Sequence, residues 1–540
     1  EQTEEVAEQL RTLRAEAAAL SPEDIRCIDP CMGSGHILAY LFDALIEIYG
    51  AHGYAAVDAV KCIVTQNLYG LDIDERAAQL AYFTVMMKAR AYDRGFFRRG
   101  IQPNVYAIIE SGEGGAFLYD GGARIADEEH AAALNDVMAA FTDAREYGSL
   151  IVPPAHDYAD LMTAWEWAQM AAAPDVNVTL WSSETNDRIP QLIRQAQLLT
   201  QKYHIVVTNP PYMGGKGMNA KLTKFVKEQY PDSKSDLFAA FIERCNAWCV
   251  PNGYSSLVTM QSWMFLSSFE KMRKDLLTSK TIMTLMHMEN MVMGIAFGTA
   301  VSVLKNVHLE GFKGTYHQIK LCDIVDDVPV EFPVKRNRFA QIAAESFEKI
   351  PGFPIAYSMS ENFLVAYRVG CPLGDIAEPK AGMSTGNNEI FERYWHEVSF
   401  PRIGFHYRDA QETRDCRYQW VPCNSGGEYR KWAFNNEIIV NWYNDGEKIR
   451  SYRNASGKIA SATRNTAYYF KVGLTWNKLS SSRFAVKYKA AGFAFDDTSR
   501  SIFLKKTDDH ALFYLLGMLC SNVTFAYLVA LNPTMSFTNY

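Results

Sequence analysis

The stretch IRCIDPCMGSGHILAY, residues 25–40, decides the fold, because it passes from a short apolar strand through a glycine turn into a helix. The strand is predicted at residues 25–28, and the apolar spacing of residues 37–49 predicts the helix. A second strand or its approach, a further helix and a third strand are predicted at residues 62–72, 75–91 and 104–109. Strand, helix, strand, helix, strand is the start of a parallel α/β sheet.

The sheet continues after an interruption. Residues 112–200 are rich in Ala, Glu, Gln and Leu and predict a largely helical insertion. A fourth strand is predicted at residues 204–208, and a helix at residues 236–250. Later strands are predicted at residues 254–260, 282–288 and 299–306. We therefore expect a Rossmann-like α/β domain at residues 1–335.

The second half of the chain differs from the first. A change of composition near residues 334–347 marks the candidate linker, and from about Gly352 the sequence is rich in β-type residues and turns. A chain of 540 residues exceeds what one hydrophobic core usually organises. We therefore expect a second, β-rich domain at residues 350–540.

Composition narrows the class of protein. The hydrophobic fraction of 48% and the charged fraction of 21% are those of an ordinary globular chain. The ten cysteines include no C-x-x-C pair, which argues against a disulfide scaffold or a zinc ribbon; no metal is predicted, and a reducing cytoplasm is expected. Residues 1–20 lack the pattern of a signal peptide. Polar residues interrupt the uncharged stretch 511–531, which predicts a buried helix pair and no membrane partner.

The glycine turn after the first strand is the first candidate site. Gly33 and Gly35 let a ligand approach the backbone, and the following helix offers its N-terminal N–H groups. Asp72 stands at the end of the next strand, where an acid can hold the two hydroxyls of a ribose. Asp29, just before the turn, suits an amine better than a pyrophosphate. Together they predict a nucleoside cofactor and leave NAD and S-adenosylmethionine both open.

The second candidate site is Asn209-Pro210-Pro211-Tyr212, directly after the fourth strand. Two consecutive prolines hold the backbone extended there. The side-chain oxygen of Asn209 and the carbonyl oxygen of Pro210 can then both accept hydrogen bonds from one exocyclic amino group. This makes the nitrogen lone pair more available for attack on a methylsulfonium. Tyr212 offers a ring on which a base pulled out of the double helix can stack.

These residues, in this order, resemble motifs I, II and IV of the amino-group DNA methyltransferases. The order with the cofactor motif first resembles their γ class, whose Asn-Pro-Pro-Tyr members modify adenine N6. The string NPPYMGGKGMNAKL, residues 209–222, is similar to the PglX-type adenine methyltransferases of BREX phage-exclusion systems. The resemblance implies a methyltransferase sheet that uses S-adenosylmethionine and acts on double-stranded DNA by base flipping.

The resemblance also implies which residues form the site, and they fall into three groups. The catalytic residues would be Asn209, Pro210, Pro211 and Tyr212. The base would be held between Tyr212 and Phe297, the latter in Gly294-Ile295-Ala296-Phe297. The cofactor would be bound by Asp29, Pro30, Cys31, Gly33, Gly35, Asp72, Ile73 and, as the candidate for motif III, Glu110.

A basic block in the second half favours a DNA partner. Residues 1–340 hold 31 Lys and Arg against 42 Asp and Glu, a balance of −11, whereas residues 341–540 hold 23 against 19, a balance of +4. Residues 448–495 carry ten Lys and Arg, no acid and several aromatic residues, a pattern typical of a polyphosphate partner. Segments 379–391 and 473–480 resemble target-recognition segments of type IIG-like methyltransferases. The predicted DNA-binding residues are Thr385, Gly386, Asn387, Arg464, Lys478, Arg483 and Lys487.

The predicted function is site-specific methylation of adenine N6 in DNA, within a phage-defence or restriction-modification system whose other proteins are candidate partners. Two alternatives stay open. Asn-Pro-Pro-Tyr also occurs in enzymes that methylate RNA or protein, although the basic block argues against them. The other alternative is a non-catalytic DNA-binding subunit of a defence complex.

Overall fold

The computed structural model describes residues 2–111, 127–171, 180–326, 328–335, 339–414, 417–433, 435–480, 483–506, 508–531 and 537. The chain divides into two compact units, Glu1–Ser358 and Met359–Tyr540. Each unit contains hydrophobic clusters of its own. The division lies beyond the linker predicted near residues 334–347.

Parallel strands form the centre of the first unit. Its strands are β1 (Cys27–Asp29), β2 (Leu68–Asp72), β3 (Asn104–Ala107), β4 (Tyr203–Thr208), β5 (Cys249–Met260), β6 (Thr281–Met288), β7 (Thr299–Lys305), β8 (Lys313–Ile319), β9 (Ile324–Val325), β10 (Val328–Pro329) and β11 (Phe339–Ala343). Within the described residues, nine of them form one sheet in the order β11-β8-β6-β7-β5-β4-β1-β2-β3, and β9 pairs with β10.

The direction of the strands determines where a site can form. β1 is central and parallel to both neighbours, with Ile28 opposite Tyr69 of β2 and Val206 of β4. β3 and β5 continue the parallel set, while β7 runs antiparallel between β5 and β6. The carboxyl ends of β1, β2, β3 and β4 therefore meet at one edge, where open α/β sheets bind their ligands.

Helices cover this sheet. In the first unit they are α1 (Glu4–Ala18), α2 (His36–Ala51), α3 (Ala56–Cys62), α4 (Glu75–Tyr92), α5 (Glu128–Ala140), α6 (Ala144–Tyr147), α7 (Tyr158–Ala171), α8 (Leu180–Thr200), α9 (Ala220–Gln229), α10 (Leu237–Trp248), α11 (Glu270–Ser279) and α12 (Glu345–Glu348). Phe42 of α2 and Val85 of α4 share a buried cluster beside β2. Helices α5 to α8 occupy the insertion predicted at residues 112–200, of which residues 112–126 and 172–179 lie outside the described residues.

The strand predicted at residues 62–72 is wrong over its first part. Ile63–Asn67 forms a π-helical turn that continues α3, and the strand begins only at Leu68. Val60 and Val64 are completely buried four residues apart, as on one face of a helix. A short apolar run of this kind does not distinguish a buried helix from a strand, which explains the error.

The predicted linker contains a strand. β11 lies within residues 334–347 and pairs antiparallel with β8, placing Ala340 opposite Tyr316. β11 is an edge strand with no fully buried residue, so its sequence lacks the apolar run that marks an interior strand. The sheet of the first unit thus extends past residue 335, the predicted end of the domain.

The second unit is rich in short strands. Its strands are β12 (Ala377–Lys380), β13 (Glu392–Tyr394), β14 (Trp420–Asn424), β15 (Ile438–Asn441), β16 (Gly473–Asn477), β17 (Val486–Lys489), β18 (Ala494–Phe495) and β19 (Ser499–Leu504). Its helices are α13 (Glu361–Val369), α14 (Leu373–Ile376), α15 (Asn388–Phe391), α16 (Tyr443–Arg450), α17 (Asp509–Leu519) and α18 (Asn522–Leu531). Within the described residues, two four-stranded sheets run in the orders β12-β19-β16-β17 and β13-β15-β14-β18.

Helices α17 and α18 cover the stretch in which a buried helix pair is predicted. α17 buries Leu512, Leu515, Leu516 and Leu519 against the strands of the first of these sheets. α18 has no fully buried residue, so the prediction is wrong for that helix. Among the described residues no single helix is long and apolar enough to cross a membrane; α17 and α18 together pass that test by length and composition, with a bend of 64° between them.

Candidate active site

The turn after β1 exposes its backbone at the carboxyl edge of the sheet. Gly33 and Gly35 have φ of +51° and +84°, a left-handed conformation that favours glycine. At Gly35 a Cβ would lie 2.9 Å from the Cα of Ala81 in α4, so the turn passes that helix only because a side chain is missing. At Gly33 a Cβ would meet no atom of the described residues within 4 Å. The space beside Gly33 is therefore open to a ligand.

Asp29, at the end of β1, is completely buried. Its Oδ1 accepts hydrogen bonds from the Cys31 N–H at 3.1 Å and from the Thr208 hydroxyl at 2.7 Å. Its Oδ2 is buried and has no hydrogen-bond partner within the described residues. Burial raises the pKa of Asp29 to about 7, while the hydrogen bonds from Thr208 and Cys31 oppose the rise. A buried acceptor without a donor favours a ligand that can donate to it.

Asp72 joins the end of β2 to the glycine turn. Its Oδ2 accepts from the Gly33 N–H at 2.9 Å, and its Oδ1 accepts from the Asp74 N–H at 2.9 Å. The carboxylate thus fixes the turn in place as well as standing at the strand end. Ile73, beside it, is 52% exposed and offers apolar surface at the same edge.

The insertion supports the cofactor side of the site. Ser149 donates to the Pro30 carbonyl oxygen at 2.6 Å, and the buried Arg244 donates to the Ser149 carbonyl oxygen at 3.3 Å. Burial raises the pKa of the Cys31 thiol, which keeps it neutral. Glu110 follows β3, and its Oε1 accepts from the backbone N–H of Arg145 in the insertion at 3.3 Å. The predicted cofactor residues therefore gather at the ends of β1, β2 and β3.

The motif Asn209-Pro210-Pro211-Tyr212 directly follows β4. Pro210 is buried, whereas Asn209 and Pro211 are exposed. The Tyr212 hydroxyl donates to Asn209 Oδ1 at 3.1 Å, so the amide oxygen and the ring lie together. Burial raises the pKa of Tyr212 to about 12, which keeps the hydroxyl neutral. Because β4 is the parallel neighbour of β1, this motif lies beside the glycine turn.

Aromatic rings surround Tyr212. The ring of Phe297, between β6 and β7, lies 5.7 Å from the Tyr212 ring at an interplanar angle of 72°. The buried Phe238 of α10 lies 6.1 Å from Tyr212 at 90°. Phe297 is half-buried, so part of its ring stays accessible. The structure thus brings together the two residues predicted to hold the base.

A buried polar network lies behind Phe297, and no motif in the sequence marks it. The Tyr357 hydroxyl and His287 Nδ1 are 2.7 Å apart, and His287 Nε2 lies 2.5 Å from Gln261 Oε1. Gln261 packs directly beneath Gly298, where a Cβ would lie 2.4 Å from its Cδ. Burial lowers the pKa of His287 to about 4, so the ring is neutral at pH 7, with Nε2 donating and Nδ1 accepting. No sequence spacing pairs these residues, since they come from separate elements.

The segment at residues 385–387 serves the fold of the second unit. Thr385 is 2% exposed, so the prediction that its side chain contacts DNA is wrong. Asn387 Oδ1 accepts from the Ile390 N–H at 3.2 Å and caps α15. Gly386 has φ of +77°, and a Cβ there would lie 2.8 Å from the backbone carbon of Ala460. The polar and glycine pattern of this segment reflects a tight turn.

The two lysines of β17 are buried. Lys487 is 2% exposed, and its Nζ donates to Asn477 Oδ1 at 2.9 Å. Burial lowers the pKa of Lys487 to about 8. Lys489 is completely buried and donates to the carbonyl oxygens of Lys471 and Phe493. The prediction that Lys487 contacts DNA is therefore wrong, because its ammonium group is used inside the unit.

Two other predicted DNA contacts share an acid. Asp497 lies 3.4 Å from Arg464 and 3.0 Å from Lys478, just beyond the acid-free stretch of sequence. Arg483 is exposed. In the described part of the block, the exposed basic residues without an ion pair are Lys448, Arg453, Lys458, Lys471 and Arg483.

A metal-binding cluster is not found in the described ranges, which contain no group of three His, Cys, Asp or Glu side chains that could hold an ion. The candidate site is thus a glycine turn, two carboxylates and an Asn-Pro-Pro-Tyr motif at one edge of a parallel sheet. This arrangement defines the fold class as that of the S-adenosylmethionine-dependent methyltransferases.

Comparison with known proteins identifies the family and the relatives that this chain resembles. Residues 66–292 match the family model of the Eco57I restriction-modification methylase. The chain is 37% identical over 540 residues to the adenine-specific methyltransferase PglX of Lacticaseibacillus casei (strain Zhang), covering 97% of this chain and 44% of that protein. It is 35% identical over 563 residues to the adenine-specific methyltransferase BrxX of Escherichia coli O9:H4 (strain HS), covering 100% of this chain and 45% of that protein. The resemblance to PglX-type methyltransferases is confirmed.

A solved structure shares the fold. A nuclease-deletion mutant of the Type ISP restriction-modification enzyme LlaGI, in complex with a DNA substrate mimic, matches with a TM-score of 0.52 at 12% identity. The match covers 97% of this chain and 44% of that one. The predicted α/β fold class with a β-rich second part is confirmed. The chain spans less than half the length of the curated relatives it matches.

Proposed function

We propose that this protein transfers a methyl group from S-adenosylmethionine to N6 of adenine in double-stranded DNA. The observation that carries the proposal is the pairing of β1 with β4, which sets the glycine turn beside Asn209 and Tyr212. The buried hydrogen bond from Thr208 to Asp29 joins the two halves of the site. The names of PglX and BrxX, both adenine-specific methyltransferases, support the same chemistry.

The residues around the glycine turn fit the cofactor. Asp29 Oδ2 is a buried acceptor suited to an ammonium group, and Asp72 stands where a ribose is held. Ile73 offers an apolar surface to the adenine ring of the cofactor. When bound, S-adenosylmethionine supplies a methyl group on a sulfonium sulfur, which becomes a neutral thioether as that group leaves. Pro30, Cys31, Gly33, Gly35 and Glu110 complete the proposed cofactor site.

Asn209 and Pro210 act on the target base in this proposal. Their two oxygens accept hydrogen bonds from the adenine amino group and orient its nitrogen lone pair toward the methyl group. As the N–C bond forms, that nitrogen gains a positive charge and then releases a proton to water. Tyr212 and Phe297 hold the flipped base, and stacking offsets part of the cost of removing it from the duplex.

The resemblance to PglX-type methyltransferases extends the proposal to phage defence. The modified adenine would mark the cell's own DNA, in the cytoplasm, for a defence system that includes other proteins. The DNA partner is supported by the exposed basic residues of the second unit and by the DNA-bound LlaGI neighbour, whose fold this chain shares.

The test is methylation of double-stranded DNA by the purified full-length protein, with S-adenosylmethionine labelled in its methyl group. We expect the label on adenine N6. The variant Asn209→Ala should abolish transfer and leave cofactor affinity nearly unchanged, because Asn209 contacts the amino group of the base. Label on RNA or protein alone, or methylation retained by Asn209→Ala, would contradict the proposal. Methylome sequencing of cells with and without the gene then gives the recognition sequence.

A further inference from the structure

A lysine-rich segment begins directly after the Asn-Pro-Pro-Tyr motif, and its two ends are hydrogen-bonded to each other. The Met213 N–H donates to Asp236 Oδ1 at 2.9 Å, and the Leu237 N–H donates to the Met213 carbonyl oxygen at 3.1 Å. Gly214 also forms an isolated β-bridge with Asp236. Residues 213–236, here named the lysine segment, are therefore fastened at both ends one residue from Tyr212.

The helix of the lysine segment is held by its apolar face. Leu222 and Val226 of α9 are buried, and the Phe225 ring stacks on Tyr147 of the insertion at 4.1 Å and 8°. At the start of α9, Asn219 accepts from the Leu222 N–H at 3.0 Å and donates to Glu146 at 2.6 Å. The opposite face of α9 is thus presented to solvent in a fixed orientation.

The exposed side of the lysine segment is basic, although residues 1–340 as a whole have a charge balance of −11. Its lysines are Lys216, Lys221, Lys224, Lys227 and Lys234, and its acids are Glu228, Asp232 and Asp236. Asp236 is used in closing the segment, and Asp232 lies 3.9 Å from Lys271. Lys221 pairs with Asp143 at 2.9 Å. The other four lysines are exposed, and the described residues show no ion pair for them.

Two of these lysines lie side by side over a depression. Lys224 and Lys227 line it together with Asn219, Thr223 and the acid Glu228. The depression therefore combines two ammonium groups with the Thr223 hydroxyl, and such groups bind phosphate oxygens in protein–DNA interfaces. Its one carboxylate leaves a positive balance.

We propose that the lysine segment binds the phosphate backbone of the duplex next to the target adenine. The inference rests on the proposed function and adds to it a second DNA-contacting surface, outside the second unit. A base can leave the duplex productively only if the flanking backbone stays in register with the site. Lysines on a segment whose two ends are fastened beside Tyr212 supply that register without reading the sequence.

The experiment compares two matched double variants of the full-length protein. Lys224→Gln/Lys227→Gln removes the two charges of the depression. Lys61→Gln/Lys202→Gln removes two exposed charges near the amino ends of β2 and β4, the opposite edge of the sheet. Affinity for a cognate and a scrambled duplex is measured by fluorescence anisotropy at several salt concentrations, with methylation of the cognate duplex measured in parallel.

We expect the first variant to bind both duplexes several-fold more weakly and its salt slope to become shallower by about 1.8, since each neutralised phosphate contributes about 0.9. The second variant should bind like wild type. Unchanged affinity and slope in the first variant, equal losses in both, or tighter binding to single-stranded RNA would each overturn the inference. If the wild-type protein methylates the duplex in the same assay, such a result overturns only this inference and not the proposed function. If the wild-type protein does not methylate the duplex, the proposed function itself is refuted.

Discussion

The Thr208 hydroxyl donates a hydrogen bond to Asp29 Oδ1 at 2.7 Å, and both residues are completely buried. Thr208 is the last residue of β4 and Asp29 the last of β1. This one contact joins the strand that precedes the cofactor turn to the strand that precedes the Asn-Pro-Pro-Tyr motif. The distance between the two candidate half-sites is therefore set inside the protein, before any ligand binds.

The pH dependence of cofactor binding should follow Asp29. Its pKa is raised to about 7 by burial, and a cationic ammonium group binds the carboxylate form. Affinity for S-adenosylmethionine should therefore increase several-fold between about pH 6 and pH 7.5, as Asp29 loses its proton. Calorimetric titration checks this. Asp29→Asn should bind weakly with a flat profile, and a pH-dependent Asn variant would contradict the assignment.

Asp29→Asn should weaken cofactor binding but increase the stability of the folded protein relative to wild type as pH rises. The folded pKa of about 7 lies above the ordinary aspartate value of 3.8, so the folded protein holds this proton more tightly than the unfolded chain. Wild type therefore loses stability relative to the Asn variant as pH rises from about 4 to about 7. Thermal unfolding at both ends of that range measures the difference, which should grow with pH.

Removing the hydroxyl at position 208 should raise the pKa of Asp29 further. Thr208→Val keeps the shape of the side chain and removes the donor to a buried carboxylate, a loss on the order of 1.5–3 kcal/mol. At pH 7 the variant should bind S-adenosylmethionine more weakly than wild type, and the difference should shrink at higher pH. Thr208→Ser retains the hydroxyl and should behave like wild type; equal loss in the Ser variant would point to packing instead.

The ring of Tyr212 should matter more than its hydroxyl. In the structure the hydroxyl donates to Asn209 Oδ1, the oxygen that the base must use. Tyr212→Phe should therefore retain most methyl transfer, whereas Tyr212→Ala should lose stacking worth about 1–3 kcal/mol. Steady-state kinetics on a cognate duplex separate the two variants. Equal loss in both would assign the catalytic contribution to the hydroxyl.

The network behind Phe297 can be tested through Gly298. A Cβ at Gly298 would overlap the Gln261 amide, which His287 and Asn290 hold in place. Gly298→Ala should displace the Phe297 loop and reduce methyl transfer on the order of tenfold to a hundredfold, with cofactor affinity unchanged. Fluorescence of 2-aminopurine at the target position should show less flipped base. Adding Gln261→Ala removes the overlap and should restore part of both signals.

Charge reversal inside the basic block should distinguish buried from exposed lysines. Lys487→Glu places an unpaired carboxylate in the interior beside Asn477 and should cost on the order of 3–5 kcal/mol of unfolding free energy. Lys448→Glu, on the surface, should change it by about 0.5 kcal/mol or less. Denaturant unfolding of the two variants measures this. Equal stability would contradict the burial of Lys487.

The strands of the first unit could be predicted from the sequence because the signals that mark them are local. The strand and glycine turn of β1, and the strand before Asn209, are marked by short apolar runs and by residues with special backbone conformations. The lateral order of the strands carries no such signal. That β7 lies between β5 and β6 follows from packing over the whole unit.

The basic block shows where a linear pattern fails. In β17 the alternation Val486-Lys487-Tyr488-Lys489 is typical of a strand with one face in solvent. Both lysines are nevertheless buried, because other segments cover that face and supply oxygen acceptors. A stretch without acids also says nothing about acids that fold against it, as Asp497 does. Burial and pairing depend on contacts that only the folded unit defines.

Asp497 has a consequence for how the second unit meets DNA. One carboxylate faces Arg464, Lys478 and Arg500 at 3.4, 3.0 and 3.2 Å, so it cancels one of three positive charges. A net positive charge remains at this position, while the side chains of Arg464, Lys478 and Arg500 are already paired with Asp497. The electrostatic field of such a charge attracts a polyanion at long range. It therefore increases the association rate more than it increases the lifetime of the complex. Neutralising Arg464 should therefore slow association with DNA and leave the dissociation rate almost unchanged.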